Sequence, residues 1–146
     1  MENRIELKTT IQASAEEVWD ALTNPDKIEK YMFGVRCNSN WKPGSRADFY
    51  VTQNGKEKTA VKGEVIRSEP NKLLEYTLFP TGSGIEDILE NYLVATFEIV
   101  PDEQETHLLI TQRGYAYVEK GEERYIDTIK GWKVALPLLK EIAEND

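Results

Sequence analysis

Apolar and polar residues alternate from the start of the chain: Ile5, Leu7, Thr9 and Ile11 share one face and charged or amide residues the other. That period of two predicts a half-buried strand. The pattern then becomes helical. Ser14-Ala15-Glu16-Glu17 reads as a capping box, in which hydroxyl and carboxylate each accept from the other residue's amide. Val18, Trp19 and Leu22 fall on the buried side of the helix this starts. Asn24-Pro25 ends it and opens a second short helix carrying Ile28, Tyr31 and Met32. From Val35 to Gly114 the chain reads as strands and turns. Trp41-Lys42-Pro43-Gly44, Asn54-Gly55, Glu69-Pro70-Asn71 and Pro101-Asp102-Glu103 are the turn signals, Asn54-Gly55 the strongest. Between them alternate Ala47-Phe49-Val51, Val61-Gly63-Val65, Leu74-Tyr76-Leu78, Leu93-Ala95-Phe97-Ile99 and Leu108-Ile110-Gln112. With the first strand and a short one near Val35–Cys37, six to seven strands are expected. Residues 80–90 lack a strand pattern and read as a loop with two glycines and several carboxylates.

The last segment, from about Glu122 to Glu144, predicts one long helix. Tyr125, Ile129, Trp132, Leu136, Leu139 and Ala143 step by four and three and form its inward stripe. Pro137 should bend it. Two short helices after the first strand, an antiparallel sheet and a long terminal helix make an α+β fold. A sheet curved around one helix leaves a hollow unless large side chains fill it. Gly63 and Ala95 are expected to enlarge that hollow, and the 82–90 loop to cover its entrance.

Composition narrows the function. At 146 residues the chain suits a single domain spanning 1–146. Its net charge of −8 argues against nucleic-acid and anionic-membrane partners, which want basic patches. No apolar run approaches the ~18 residues of a membrane span, and no leader pattern opens the chain, so the cytoplasm is the expected compartment. One cysteine and one histidine leave no disulfide and no zinc-ligand set, and no cofactor motif is present. His107 is out of phase with Leu108, Ile110 and Gln112, so it is expected to face solvent. Cys37 reads as a small buried hydrophobe. No catalytic residue is assigned.

The run Ile11-Gln12-Ala13-Ser14-Ala15-Glu16-Glu17-Val18-Trp19-Asp20-Ala21-Leu22-Thr23-Asn24-Pro25 resembles the opening of START-like, helix-grip proteins of the polyketide-cyclase and Bet v-type superfamily. Trp41-Lys42-Pro43-Gly44, Gly63-Glu64-Val65-Ile66 with Pro70, and Thr106 to Thr111 are similar to its later blocks. Gly131-Trp132 with Leu136 and Leu139 resembles one branch, the bacterial single-domain relatives of the C-terminal domain of the activator of heat-shock protein 90 ATPase. The chain departs from that pattern at Gly44-Ser45, where many members have two glycines, and at Gln112, where many have histidine. The resemblance implies a helix-grip fold with a cavity. It does not imply one activity, since members include lipid carriers, hormone receptors and cyclases.

The aromatic residues carry the strongest functional signal: three Trp, seven Tyr and four Phe. Trp132, Tyr125, Tyr76 and Gln112 are large, inward and polar at one atom, as expected of a small-molecule site with apolar walls. Ile129, Phe49, Leu78 and Leu136 complete the expected lining, with Tyr31 and Phe33 at its mouth. The leading expectation is therefore a small hydrophobic or aromatic ligand in an internal cavity. A chaperone partner is the alternative that the resemblance implies, and a cyclase- or hydrolase-like enzyme the second alternative.

Overall fold

A computed structural model of the chain describes residues 3–145. Its elements run β1 (Arg4–Ile11), α1 (Ala15–Thr23), α2 (Pro25–Tyr31), β2 (Arg36–Cys37), β3 (Phe49–Gln53), β4 (Lys56–Lys62), β5 (Val65–Glu69), β6 (Leu73–Pro80), β7 (Leu93–Asp102), β8 (Glu105–Arg113) and α3 (Gly121–Glu144). A single 3-10 turn at Leu89–Asn91 precedes β7. The eight strands form one sheet in the order β1-β8-β7-β6-β4-β3-β2, with β5 also on β6, and every pairing is antiparallel. This is the α+β helix-grip architecture, with two short helices after the first strand and one long C-terminal helix.

Local chemistry explains most element ends. The Glu17 amide donates to the Ser14 hydroxyl at 3.1 Å, and the Ser14 amide donates to the Glu17 carboxylate at 3.0 Å. Asn24 closes α1 and its side chain accepts from the Asp26 amide, so one residue serves both helices. Asn54 and Gly55 both have positive φ, as a tight two-residue hairpin turn requires.

The expected strand Val61–Val65 is broken, which brings the strand total to eight. Gly63 lies against the backbone of β6. A Cβ on it would sit 1.8 Å from the Thr77 carbonyl oxygen, so only glycine fits. β4 pairs with the end of β6, and β5 with its beginning. The strand thus kinks at Gly63, and the β3–β4 hairpin turns as a flap at the side of the main sheet. The expectation that Gly63 opens interior space is corrected: its missing side chain admits β6, and no void results.

The core lies between the inner face of the sheet and α1, α2 and the C-terminal half of α3. Ile11, Val18, Leu74, Leu108, Ile110 and Leu139 are fully buried within it. On the opposite face of β6, Glu75 is buried, and its carboxylate accepts from Arg67 Nε and Nη2 (3.1 and 3.2 Å) and from the Thr96 hydroxyl (2.7 Å). Arg113 stands 3.5 Å away. Burial alone would raise the Glu75 carboxyl, but Arg67, Thr96 and Arg113 outweigh it and hold it below the ordinary value. A lowered folded-state pKa means the unfolded chain binds more protons around its own carboxyl pKa, about 4.3. The contribution of Glu75 is present above that pH and is lost as pH falls through the lowered value. Denaturation midpoints of Glu75→Gln should therefore fall less steeply than those of the parent from neutral pH into this acid range. Parallel curves would refute the assignment.

Candidate ligand-binding cavity

The two halves of α3 sit differently on the sheet. Ala135, Leu139 and Ala143 are buried. One side of the N-terminal half covers a hollow of about 360 Å³. Arg124, Asp127, Thr128, Gly131, Trp132 and Ala135 form the helical wall. These span eleven helical steps, or about 16 Å at about 1.5 Å per residue. The sheet supplies Phe49, Val61, Tyr76, Leu78, Leu93, Ala95, Phe97 and Gln112, and Met32, Phe33, Val35, Ala60 and Pro80 complete the lining. Pro137 lies on the exposed side of α3, where the carbonyl freed at Lys133 meets water.

Gly131 helps keep the hollow open, because a Cβ there would meet no atom within 4 Å. A mid-helix glycine costs about 1 kcal/mol relative to alanine. Phe33, beside α2, is 64% exposed and holds φ +57, a conformation bulky residues seldom adopt.

Few polar groups meet these apolar walls. The Trp132 indole N–H donates to Gln112 Oε1 at 3.4 Å. Tyr115 donates to the Thr128 hydroxyl at 2.9 Å, and that hydroxyl donates to the Arg124 carbonyl at 2.8 Å. Tyr76 is wedged among Trp41, Phe49 and Phe97, with ring centroids 5.6–6.0 Å apart. Its hydroxyl has no hydrogen-bond partner among the described residues, yet the oxygen is not fully enclosed. Burial first, then the neighbouring Tyr31 and Cys37, push this phenol well above its ordinary pKa. It therefore remains a neutral donor at any physiological pH.

Of the residues singled out from sequence, Trp132, Tyr76, Gln112, Phe49, Leu78 and Phe33 lie on this hollow. The other four lie elsewhere. Tyr125 packs edge-on against Tyr115, ring centroids 5.2 Å apart, in a separate apolar cluster with Ile5, Leu93 and Val118. Ile129 is 40% exposed on the outer side of α3. Leu136 packs on the main core without reaching the hollow. Tyr31 is buried and donates to the Ala21 carbonyl at 2.9 Å, which ties α2 to α1.

The error along α3 has one cause. Its inward face there reads Arg124, Thr128, Gly131, Ala135, a stripe offset by one position from the apolar one. Small and polar residues face a hollow where apolar ones would face a core. The steps of four, three and four were the available signal.

The expected entrance cover is also corrected. The 82–90 loop forms no part of the wall. The Lys62–Asp87 ion pair and the Tyr92–Asp87 hydrogen bond (2.7 Å) pin it to β4 and to the residue just before β7.

His107 lies between Thr10 (3.0 Å) and Asp102 (3.3 Å), and none of the three lines the hollow. Cys37 is buried, and burial pushes its thiol up to about 12, where little thiolate forms. Among the described residues no cluster of three or more His, Cys, Asp or Glu is arranged to hold a metal ion, and no helix is long and apolar enough to cross a membrane.

Comparison with known proteins gives a consistent picture. A family model described as Activator of Hsp90 ATPase homolog 1-like protein matches residues 12–144. The solution structure of a protein from Cytophaga hutchinsonii is similar at 33% identity and a TM-score of 0.75, covering 99% of this chain and 97% of that one. A crystal structure from Mesorhizobium loti is similar at 24% identity and TM-score 0.75, with 97% of each chain covered. One from Chromobacterium violaceum is similar at 21% identity and TM-score 0.76 over the full length of both. The search of curated proteins found no match.

Proposed function

This chain belongs to the Activator of Hsp90 ATPase homolog 1-like family, and from that premise we propose that it binds a small hydrophobic or aromatic molecule in the hollow beneath α3. The observation that carries this reading is the open, mostly apolar space beneath α3, with Tyr76, Gln112 and Trp132 among its lining residues. Apolar walls with a few placed polar groups are the usual make-up of small-molecule sites, and the volume falls within their usual range of about 300–1,000 Å³. Phe49, Leu78 and Phe97 supply the walls, Trp132 a stacking surface, Gln112 and Tyr76 orienting hydrogen bonds, and Phe33 a rim. The proposed setting is the cytoplasm, and no residue is given a catalytic role. An interior left open, where a purely surface-acting chaperone partner would gain from a filled one, supports ligand binding over that alternative.

Titration with Nile red, a neutral apolar dye, tests the reading. One saturable site with a change in tryptophan emission is expected. Gly131→Leu projects a side chain into the open space and should weaken the dye at least about tenfold, with the unfolding midpoint kept near the parent's. Non-saturating uptake, or equal binding by Gly131→Leu, would overturn the proposal.

A further inference from the structure

The chain has six arginines. Five are each within ion-pair distance of a carboxylate: Arg4 with Glu6, Arg36 with Asp26 and Glu29, Arg46 with Asp48, and Arg67 and Arg113 with Glu75. Arg124 is the exception. No carboxylate lies within 4.0 Å of it among the described residues, although the chain carries 26 acidic residues against 18 basic ones. It is half-buried on the first turn of α3 and lines the hollow. Its one side-chain hydrogen bond is from Nη1 to the Asn91 carbonyl, at 2.8 Å. Asp127 lies one turn further along the same wall without pairing to it.

A guanidinium partly withdrawn from water without a counter-charge is unfavourable, and a carboxylate is its best geometric complement because two N–H groups can donate in parallel. From this we propose that the occupant of the hollow is an amphipathic monocarboxylic acid, with its apolar body along α3 and its carboxylate on Arg124. Asp127 beside the site disfavours a second negative charge on the ligand. The Tyr76 ring, stacked on Phe97 and beside Phe49, extends the apolar wall for the ligand body. The inference rests on the hollow being a ligand site, and it adds the charge of the ligand and the residue that reads it.

Displacement of Nile red by decanoate and by decanol separates the two ideas. Both carry the same hydrocarbon chain and differ in the charged head. The parent protein should bind decanoate at least about tenfold tighter than decanol, as a charge-assisted contact of this kind implies. Raising ionic strength should narrow that gap. Arg124→Gln should lower decanoate affinity about tenfold more than decanol affinity, and Arg124→Lys should fall between. Should Arg124→Gln fold poorly, the salt dependence of the parent's acid-to-alcohol ratio decides the matter. Equal affinities for acid and alcohol, or equal losses of both in Arg124→Gln, overturn the anion proposal while saturable Nile red binding leaves the hollow as a site. Loss of saturable binding for every probe in the parent protein overturns both.

Discussion

Gly63→Ala is expected to destabilise the protein by about 4 kcal/mol or more, which puts it among the most damaging single substitutions. A Cβ at this position would lie 1.8 Å from the Thr77 oxygen and 2.8 Å from its carbonyl carbon, and both are backbone atoms. No side-chain rotation relieves such a clash. Relief requires β4 and β5 to part from β6, which would break the Thr77 amide to Glu64 carbonyl bond (3.0 Å) and the Glu64 amide to Thr77 hydroxyl bond (2.9 Å). A net stability of about 5–15 kcal/mol leaves little reserve against that loss. Chemical denaturation is the measurement, and a midpoint near the parent's would refute the close-approach account.

The second large effect is at Leu139, with Trp132 as its internal control. Leu139 is fully buried where α3 is docked, so Leu139→Ala should cost about 3–5 kcal/mol through lost transfer energy and a new cavity. Trp132 is larger but only half-buried. One side faces Phe97, ring centroids 6.1 Å apart, and the other faces space already open. Trp132→Ala should therefore cost less than about 3 kcal/mol and less than Leu139→Ala, although it deletes more atoms. The reverse order in equilibrium unfolding would show that the N-terminal half of α3 is packed as core.

What was legible in the sequence divides by range. Ser14–Glu17, Asn24-Pro25 and Asn54-Gly55 act on their own neighbours, so their motifs predict the local structure. The alternation in β1, β6, β7 and β8 is read correctly because each of these strands has one face on the core. Gly63 is misread because the atom that demands glycine belongs to Thr77, on a strand that pairs with it only in the folded molecule. Ile129 is misassigned because apolarity alone marks the inward side of a helix only where that side meets a core. Arg124 carries no signal in the sequence: charge on a helix usually means water, and only the folded sheet shows that water is partly excluded there. The Glu75 cluster was likewise invisible, since its partners come from β5, β7 and β8.

A long helix that spans a hollow midway along its inner side leaves the protein without some of its own interior. If the proposed ligand enters, it supplies the dispersion contacts missing beneath Arg124 to Trp132. The proposed ligand would then be part of the core, and mass action would govern the fold. An occupant at one hundred times its dissociation constant adds about 2.7 kcal/mol to unfolding and at one thousand times about 4.1. On the ligand-binding proposal, the melting temperature would thus depend on the cell's free ligand concentration as much as on the sequence. Its steady-state abundance would rise and fall with that concentration wherever unfolded molecules are degraded.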